Sequence, residues 1–566
     1  LKRKTNHQTE VELICIEELV APDPLLRKIG QAIEFSFIYD KVEHLYCADN
    51  GRPPVDPVML FMATCSASVP SGGWIGIKYN TAYRWFLGLR LTDRVPDHST
   101  ISRNRQERFA GTGIYQEIFD EIVLQAIRAK LIDDKVLYTD STHLKASANK
   151  NKYVEKQVQK SVRSYLDELD ADITKDREAR GKKPLKNQAA SEPETKRTKV
   201  STTDADSGYM IRDGKPKGFF YLDHRTVDGK HNLITDVHVT PGNVHDSVPH
   251  LGRLDRQSRR FGFKVEAVGL DAGYYTAPIC KGLSDRDIYG VMPYVRPGGK
   301  KGQLKKSAFD YDEHFDCYPC PENRVLKYTT TNRGGHREYK SDPKICYQCP
   351  RLKECTSSHN CVKVITRHVW EKYKEEIKAH RYEERGKRIY KRRKETVERS
   401  FADAKELHGH RYARLRGLAN VSEQCLLAAA CQNMKKIAML LAGNGRERLL
   451  RLYIGLYSRI SAVLSHLFHV IPIIPNLRSE VIATADAPQK TNNPAQMTGL
   501  LNNLSLFKEK IFRIPDYQRG YAWQKSQLKD FWEDLINLSG NRSHYTGVLT
   551  LKEVRSNDIG DSDNEY

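Results

Sequence analysis

The chain has 566 residues and a mass of 64.9 kDa, with 92 Lys and Arg against 71 Asp and Glu, a formal charge of +21 and a pI near 9.3. That length exceeds what one hydrophobic core fills, so two to four domains are expected, which excludes a mini-protein; the basic excess points to a polyanionic partner, nucleic acid first. The opening LKRKTNHQTEVEL has no apolar core of a secretion signal, and the apolar stretch 452–475 carries Arg459, His466, His469 and two prolines, so no membrane span is expected and the chain reads as cytoplasmic.

Residues 1–130 read as a helical domain. DPLLRKIGQAIEF opens a helix at Asp23 or Pro24, and GTGIYQEIFDEIVLQAIRAKLI gives a long amphipathic one. Between them, VPDHSTISRNRQERF sets Arg103, Arg105 and Arg108 beside Ser99 and Ser102, groups that suit DNA phosphates and equally suit a solvated basic face. The stretch TCSASVPSGGWIGIKYN, rich in Ser, Pro and paired Gly, is poor helix material.

In KVLYTDSTHLKASANK, Val136 to Thr139 read as a short strand with Asp140 at its carboxyl end, the place where open α/β sheets keep their chemistry. Residues 151–203 are highly charged and read as an exposed insertion, helical at first and then a linker. GFFYLDHRTV and HNLITDVHVT form a hairpin through Asp228-Gly229. In TPGNVHD, Asn243, His245 and Asp246 either line the pocket of Asp140 or form a loop cap with Asp246 starting a helix. Lys264 to Leu270 read as a strand ending in Asp271; TAPICKGLSDRD adds a helix and YGVMPYV a strand, completing a mixed α/β sheet over residues 131–297.

KRRKETVERSFADAK, Lys391 to Lys405, reads as one helix inside the segment 381–442. Val397, Phe401 and Ala404 make its apolar stripe, and Lys391, Lys394, Glu398 and Lys405 share the other side. Phosphodiester chemistry calls for an activated water or hydroxyl in line with a leaving oxygen, and two divalent cations held by carboxylates stabilise both. Two aspartates on strand ends and one helical glutamate, Asp140, Asp271 and Glu398, supply hard oxygen ligands for Mg²⁺ or Mn²⁺.

YTDSTHLKA, GLDAGYY and KETVERSFADAK followed by HRYARLRGLANV resemble the three catalytic blocks of the DDE transposases of bacterial insertion sequences, most of all the group with a cysteine-rich insertion before the glutamate. The resemblance covers roughly residues 10–440. It implies a ribonuclease H-like α/β core behind a helical DNA-binding domain, with Asp140, Asp271 and Glu398 holding a two-metal Mg²⁺ or Mn²⁺ site. It also implies cleavage of double-stranded DNA at terminal inverted repeats, strand transfer into target DNA, and a homodimer when two ends are synapsed at the nucleoid. The family pattern Tyr-x2-Arg-x3-Glu-x6-Lys is met at Glu398 and Lys405; Lys391 and Lys394 occupy its Tyr and Arg positions, with Tyr390 and Arg393 one residue away. Lys391, Lys394 and Lys405 are then expected at DNA. Rival readings are a metal-dependent nuclease on the same fold and a DNA-binding relic without catalysis.

Six of the twelve cysteines fall between Cys317 and Cys361, a grouping that suits metal better than a secreted disulfide scaffold. Cys317-x2-Cys320 with Cys346-x2-Cys349 is a tetrahedral Zn²⁺ spacing, and the resemblance offers Cys320, Cys346, Cys349 and Cys355 as a rival set, in a zinc-ribbon-like insertion over 298–380. The Ser-Pro-Gly stretch near 64–79 departs from the family and reads as an out-of-frame or deleted patch. Residues 443–497 match no pattern, and from about 498 FRIPDYQRGYAW resembles the start of the ParB-like domain of Gmr-type modification-dependent restriction enzymes, read as a truncated fragment.

Overall fold

The computed structural model describes residues 14–47, 55–67, 74–159, 165–185, 195–211, 217–294 and 302–467, with side chains as far as Gly443. The chain divides into two units, Leu1–Ala462 and Val463–Tyr566; the stretch near 443–497 beyond its helical start and the Gmr-like region from 498 lie outside the described residues.

Before Val136 the described elements are all helical. Helix Ile114–Arg128 buries Ile118, Phe119, Ile122 and Val123 on one face, as its periodicity predicts, in a core shared with Ile38, Val42, Leu60 and Phe61. The Ser-Pro-Gly stretch is helical on both flanks, Pro57–Ala67 and Trp74–Tyr79, against the sequence expectation; residues 68–73 lie outside the described set. Burial of Ile77 in the same core explains how weak local propensity is overridden.

From Val136 onward the chain builds a six-stranded mixed sheet. Its strands are β1 (Val136–Lys145), β4 (Gly208–Met210), β5 (Gly218–Asp228), β6 (Ile234–Pro241), β7 (Ala267–Gly269) and β8 (Tyr289–Val291). β5 lies antiparallel to β1, and β6 and β4 pair with its other edge, while β7 runs parallel to both β1 and β8. All eleven residues of β5 are buried, including Asp223, His224, Arg225 and Asp228, so this central strand needs internal partners for its charges. The predicted hairpin between β5 and β6 forms, with Asp228 accepting from the backbone N–H of Lys230 at 2.9 Å and of His231 at 2.8 Å.

Residues 151–203 do not begin as a helix. β2 (Tyr153–Gln159) and β3 (Thr195–Ser201) form a two-stranded antiparallel arm, with helix Leu166–Ala179 between them in sequence. YVEKQVQ carries no clean alternation, and its described residues are exposed, so the strand owes its form to pairing with β3 rather than to a buried face. The cysteine-rich insertion holds β9 (Cys317–Pro319), β10 (Val325–Thr331), β11 (His336–Lys340) and β12 (Val364–His368) in one antiparallel sheet over Tyr318, Leu326, Tyr339 and Ile365.

Helix Leu418–Leu467 closes the core. Its part Leu418–Gly443 is long and apolar enough to cross a membrane by length and composition, yet Val421, Cys425, Ala429 and Ile437 are buried in protein, which marks a core helix. Asn433 on it accepts from Ile234 N at 2.8 Å and donates to Ile234 O at 2.7 Å, capping the backbone of β6.

Candidate catalytic site

The three predicted carboxylates converge. Asp140 is the fifth of ten residues in β1, not the last as the sequence suggests. What ends there is the parallel pairing: Tyr138 faces Gly269, the last residue of β7, so Asp140 and Asp271 each stand two residues beyond the same rung. Gly269 is required by this crossing, because a Cβ there would lie 2.7 Å from the ring of Tyr138. Asp140 Oδ1 accepts from Ser141 N at 2.8 Å and Asp271 Oδ1 from Ala272 N at 2.6 Å, which orients each side chain from its own backbone.

Lys391 to Lys405 is not one helix. Helix Glu384–Arg392 passes into a 3₁₀ turn, Arg393–Glu395, and a new helix, Val397–Leu407, starts after Thr396, whose φ −106° and ψ −96° interrupt the helical path. Val397, Phe401 and Ala404 are buried as predicted. In an unbroken helix, residues five apart point about 140° away from each other. The break cancels that offset and brings Arg393 Nη1 to 3.0 Å from Glu398 Oε1. The same guanidinium places Nη2 2.6 Å from Asp140 Oδ2 and Nη1 3.9 Å from Asp271 Oδ1.

Arg393 is therefore the hub of the triad, with its side chain 8% exposed against 49% for Asp271 and 45% for Glu398. Sequence reasoning placed Lys394 in the arginine position and Arg393 one residue away from it; the break at Thr396 is what brings Arg393 to the acids instead. Lys391 and Lys394 are exposed and Lys405 is half-buried. In the amino-terminal domain Arg103 is exposed, with Glu107 3.9 Å away. Arg108 instead lies 4.1 Å over the ring of Tyr46 and donates to Asn104, and Arg105 is half-buried in the field of Glu423, so these two serve the protein interior more than an outer surface.

A fourth acid joins the site. The helix after TPGNVHD begins at His250, so Asp246 is no helix cap. Asp246 Oδ2 stands 3.7 Å from where a Cβ on Gly273 would sit, and its Oδ1 is buried without a hydrogen-bond partner. Burial, reinforced by Asp271 and Asp246 and opposed by Arg393, pushes the Asp140 carboxyl up to about 6. Burial also drives Tyr274 well above the ordinary phenol range, with Asp246, Asp140 and Asp271 adding to it.

Beneath the site lies a buried polar clamp that sequence reasoning missed. Asp140 and Arg225 are register partners on β1 and β5, so their side chains share a sheet face. Arg225 donates to Asp223 at 2.7 Å and to Gln432 at 2.7 Å, and its guanidinium lies 5.1 Å from the ring centroid of Phe401. His410 Nε2 lies 2.7 Å from Asp223 Oδ2, and Gln432 donates onward to Ser400 O at 3.0 Å. Burial alone would raise the Asp223 carboxyl; Arg225 and His410 outweigh it and hold it down to about 2. Asp223, His410 and Cys425 offer atoms within 4.8 Å of one another, but the Arg225 guanidinium already supplies their positive charge. The clamp fixes Phe401 and Ser400, and through them the turn of helix that carries Glu398.

In the insertion, Cys320, Cys346, Cys349 and Cys355 line one cavity of about 40 Å³. Burial raises the Cys355 thiol, and Cys346, Cys320 and Cys349 add to it against Lys363. Arg324 N donates to Cys320 Sγ at 3.3 Å, as a knuckle around a thiolate does. Cys317, in β9, does not line this cavity, so of the two predicted sets the geometry groups the second.

Residues 319–438 match the family model of a transposase DDE domain, and residues 14–71 and 75–107 match a transposase domain, DUF772. Residues 501–566 match the GmrSD restriction endonuclease N-terminal domain. These are the families the sequence motifs resemble. No curated protein matches the chain. Among solved structures, the piggyBac transposase synaptic complex with hairpin DNA aligns over 83% of this chain and 86% of its own at 10% identity, with a TM-score of 0.28, a likeness too low to carry weight.

Proposed function

We propose that the chain is a DDE transposase that cuts DNA at the ends of an insertion sequence and joins them to target DNA. The observation that carries this reading is the gathering of Asp140, Asp271 and Glu398, from positions far apart in the chain, around one guanidinium. The two transposase family matches support it, and the strand order β6-β5-β1-β7-β8, with only β5 reversed, supports a ribonuclease H-like core.

The residues present fit divalent metal. Three carboxylates face one guanidinium and a fourth acid has a buried unpartnered oxygen, so acids outnumber cations at the site and Mg²⁺ or Mn²⁺ would balance them. Asp140, Asp271 and Glu398 would hold it; bound there, it supplies Lewis acidity at the scissile phosphate and a lowered pKa for the attacking water. Water adds to phosphorus at the element's end, the P–O3′ bond breaks, and the 3′ oxygen leaves with a proton. The freed 3′ hydroxyl then attacks a target phosphodiester and displaces the target's own 3′ oxygen. Arg393 is placed to steady the acids and to meet phosphate oxygens as charge builds on them. Lys391, Lys394, Lys405 and Arg103 are proposed to contact the backbone of the same DNA, and two copies to pair during synapsis.

Four thiols around a cavity of about 40 Å³ suit a structural Zn²⁺ on Cys320, Cys346, Cys349 and Cys355. A strand-transfer assay with pre-cleaved ends separates this function from a nuclease on the same fold. Joined products support the transposase, and hydrolysis without joining supports the nuclease. A second reading, a DNA-binding relic, is favoured by one observation, the family match that breaks between 71 and 75; there Asp140→Ala, Asp271→Ala and Glu398→Ala would alter DNA affinity without removing any cleavage or joining activity.

A further inference from the structure

A groove of about 440 Å³ runs from the β2–β3 arm to the loop that carries Asp246. Arg197 and Lys199 of β3, Tyr209 and Ile211 beside β4, and Asn243 and His245 of the loop line it. Its size is that of a small-ligand site. It adjoins the triad through the loop, because His245 precedes Asp246, whose carboxylate packs against Gly273 just beyond Asp271.

The lining mixes three chemistries. Lys199 Nζ donates to the Tyr153 hydroxyl at 2.9 Å, outside the lining, and lies 5.2 Å over the ring of Tyr209, so one cation and one aromatic face adjoin on the groove wall. Tyr209 is fixed edge-on against Phe219 at 5.1 Å and tilted against Tyr153 at 6.5 Å, which holds its ring as a platform. Ile211 is 65% exposed, an apolar side chain kept in water at the groove wall. Asn243 and His245 supply donors and acceptors at the end nearest the triad. Glu155, directly across the ladder from Lys199, is the one acid among the lining residues.

We propose that this groove holds an unpaired segment of the DNA strand, with a base stacked on Tyr209 and against Ile211 and the adjoining phosphates met by Arg197 and Lys199. A paired duplex hides the faces of its bases, so an aromatic platform inside a concave groove has nothing to stack on unless a base is unpaired; cations beside aromatic faces are the mode of single-strand binding. Phosphates alone would account for Arg197 and Lys199 but not for Tyr209 or the exposed Ile211. The groove therefore takes DNA that has opened beside the scissile phosphate. This inference rests on the transposase reading, and its test needs neither metal nor cleavage.

The full chain is titrated, without divalent metal, with a fluorescent ten-nucleotide single strand and with a blunt duplex of the same sequence. Tyr209→Leu is expected to weaken single-strand binding roughly tenfold, the size of one lost stack, and duplex binding by less than twofold. A strand carrying 5-iodouracil is expected to crosslink at Tyr209 in the wild-type chain. Equal weakening of both DNA forms, or unchanged single-strand binding with crosslinks only elsewhere, overturns the proposal. Selective single-strand loss in a chain that never cleaves DNA would keep the groove and remove the transposase reading; cleavage with Tyr209→Leu binding like wild type would do the reverse.

Discussion

Arg393 Nη2 lies 2.6 Å from Asp140 Oδ2 across 253 residues of chain, and the same guanidinium reaches Glu398. It is the counter-charge that lets three acids share one site. Replacing it by alanine leaves those acids facing each other, so Arg393→Ala should lower the melting temperature in EDTA and show a larger rise on adding Mg²⁺ than the wild-type chain. Cleavage should fall on the order of 100-fold, since a cation aimed at developing phosphate charge is lost. Arg393→Lys keeps the charge but not the fork and should recover only part of either property. Thermal melts with and without Mg²⁺ check the first statement; a Mg²⁺ shift identical to wild type in Arg393→Ala would contradict it.

The buried clamp predicts a different pattern. Arg225→Met strands the Asp223 carboxylate in the core and should cost about 3–5 kcal/mol in urea unfolding. Asp223→Leu with Arg225→Met removes both charges and should lose clearly less than the single variant. Equal losses in the two proteins would show that the pair is not the stabilising unit.

How far the sequence foretold this site depends on which residue is asked about. Asp140, Asp271 and Glu398 were legible because YTDSTHLKA, GLDAGYY and KETVERSFADAK resemble the catalytic blocks of DDE transposases, whereas periodicity alone marked them only as candidate acids on two strands and a helix. Arg393 was not, since its place depends on a single irregular residue, Thr396, that no period reports. Arg225 was read only as a strand residue, because a charge in a fully buried strand becomes intelligible when its partners, Gln432 and His410, are brought from some 200 residues away. The charged stretch after residue 150 misled in the opposite way, its composition concealing a two-stranded arm. Cys317 is a further case: its spacing matched a zinc knuckle, while the cavity selects Cys355.

Glu423 gives a pH signature. Burial, opposed by Arg105, pushes its carboxyl from 4.5 up to about 7. Between those values the folded chain binds a proton that the unfolded chain has released, so this group's contribution falls as pH rises from 4.5 to 7 and stays low above. Glu423→Gln removes that penalty. Its melting temperature should exceed wild type at pH 8 and match it at pH 4; a difference that is the same at both values would rule out the ionisation as its cause.

For the insertion, zinc content of the purified chain should be one per molecule, and Cys346→Ser or Cys355→Ser should abolish it while Cys317→Ser and Cys361→Ser retain it. Metal analysis of the four variants checks this, and loss of zinc in Cys317→Ser with retention in Cys355→Ser would restore the paired-knuckle set.

The most direct test is cleavage of a supercoiled plasmid carrying the reading frame with its native flanks, with Mg²⁺ or with EDTA, by the wild-type chain and by Asp140→Asn, Asp271→Asn and Glu398→Gln. The account predicts Mg²⁺-dependent products with free 3′ hydroxyls from the wild type and at least on the order of 100-fold less from each variant. Cleavage that persists in EDTA, or that any one of the three substitutions leaves intact, would contradict it.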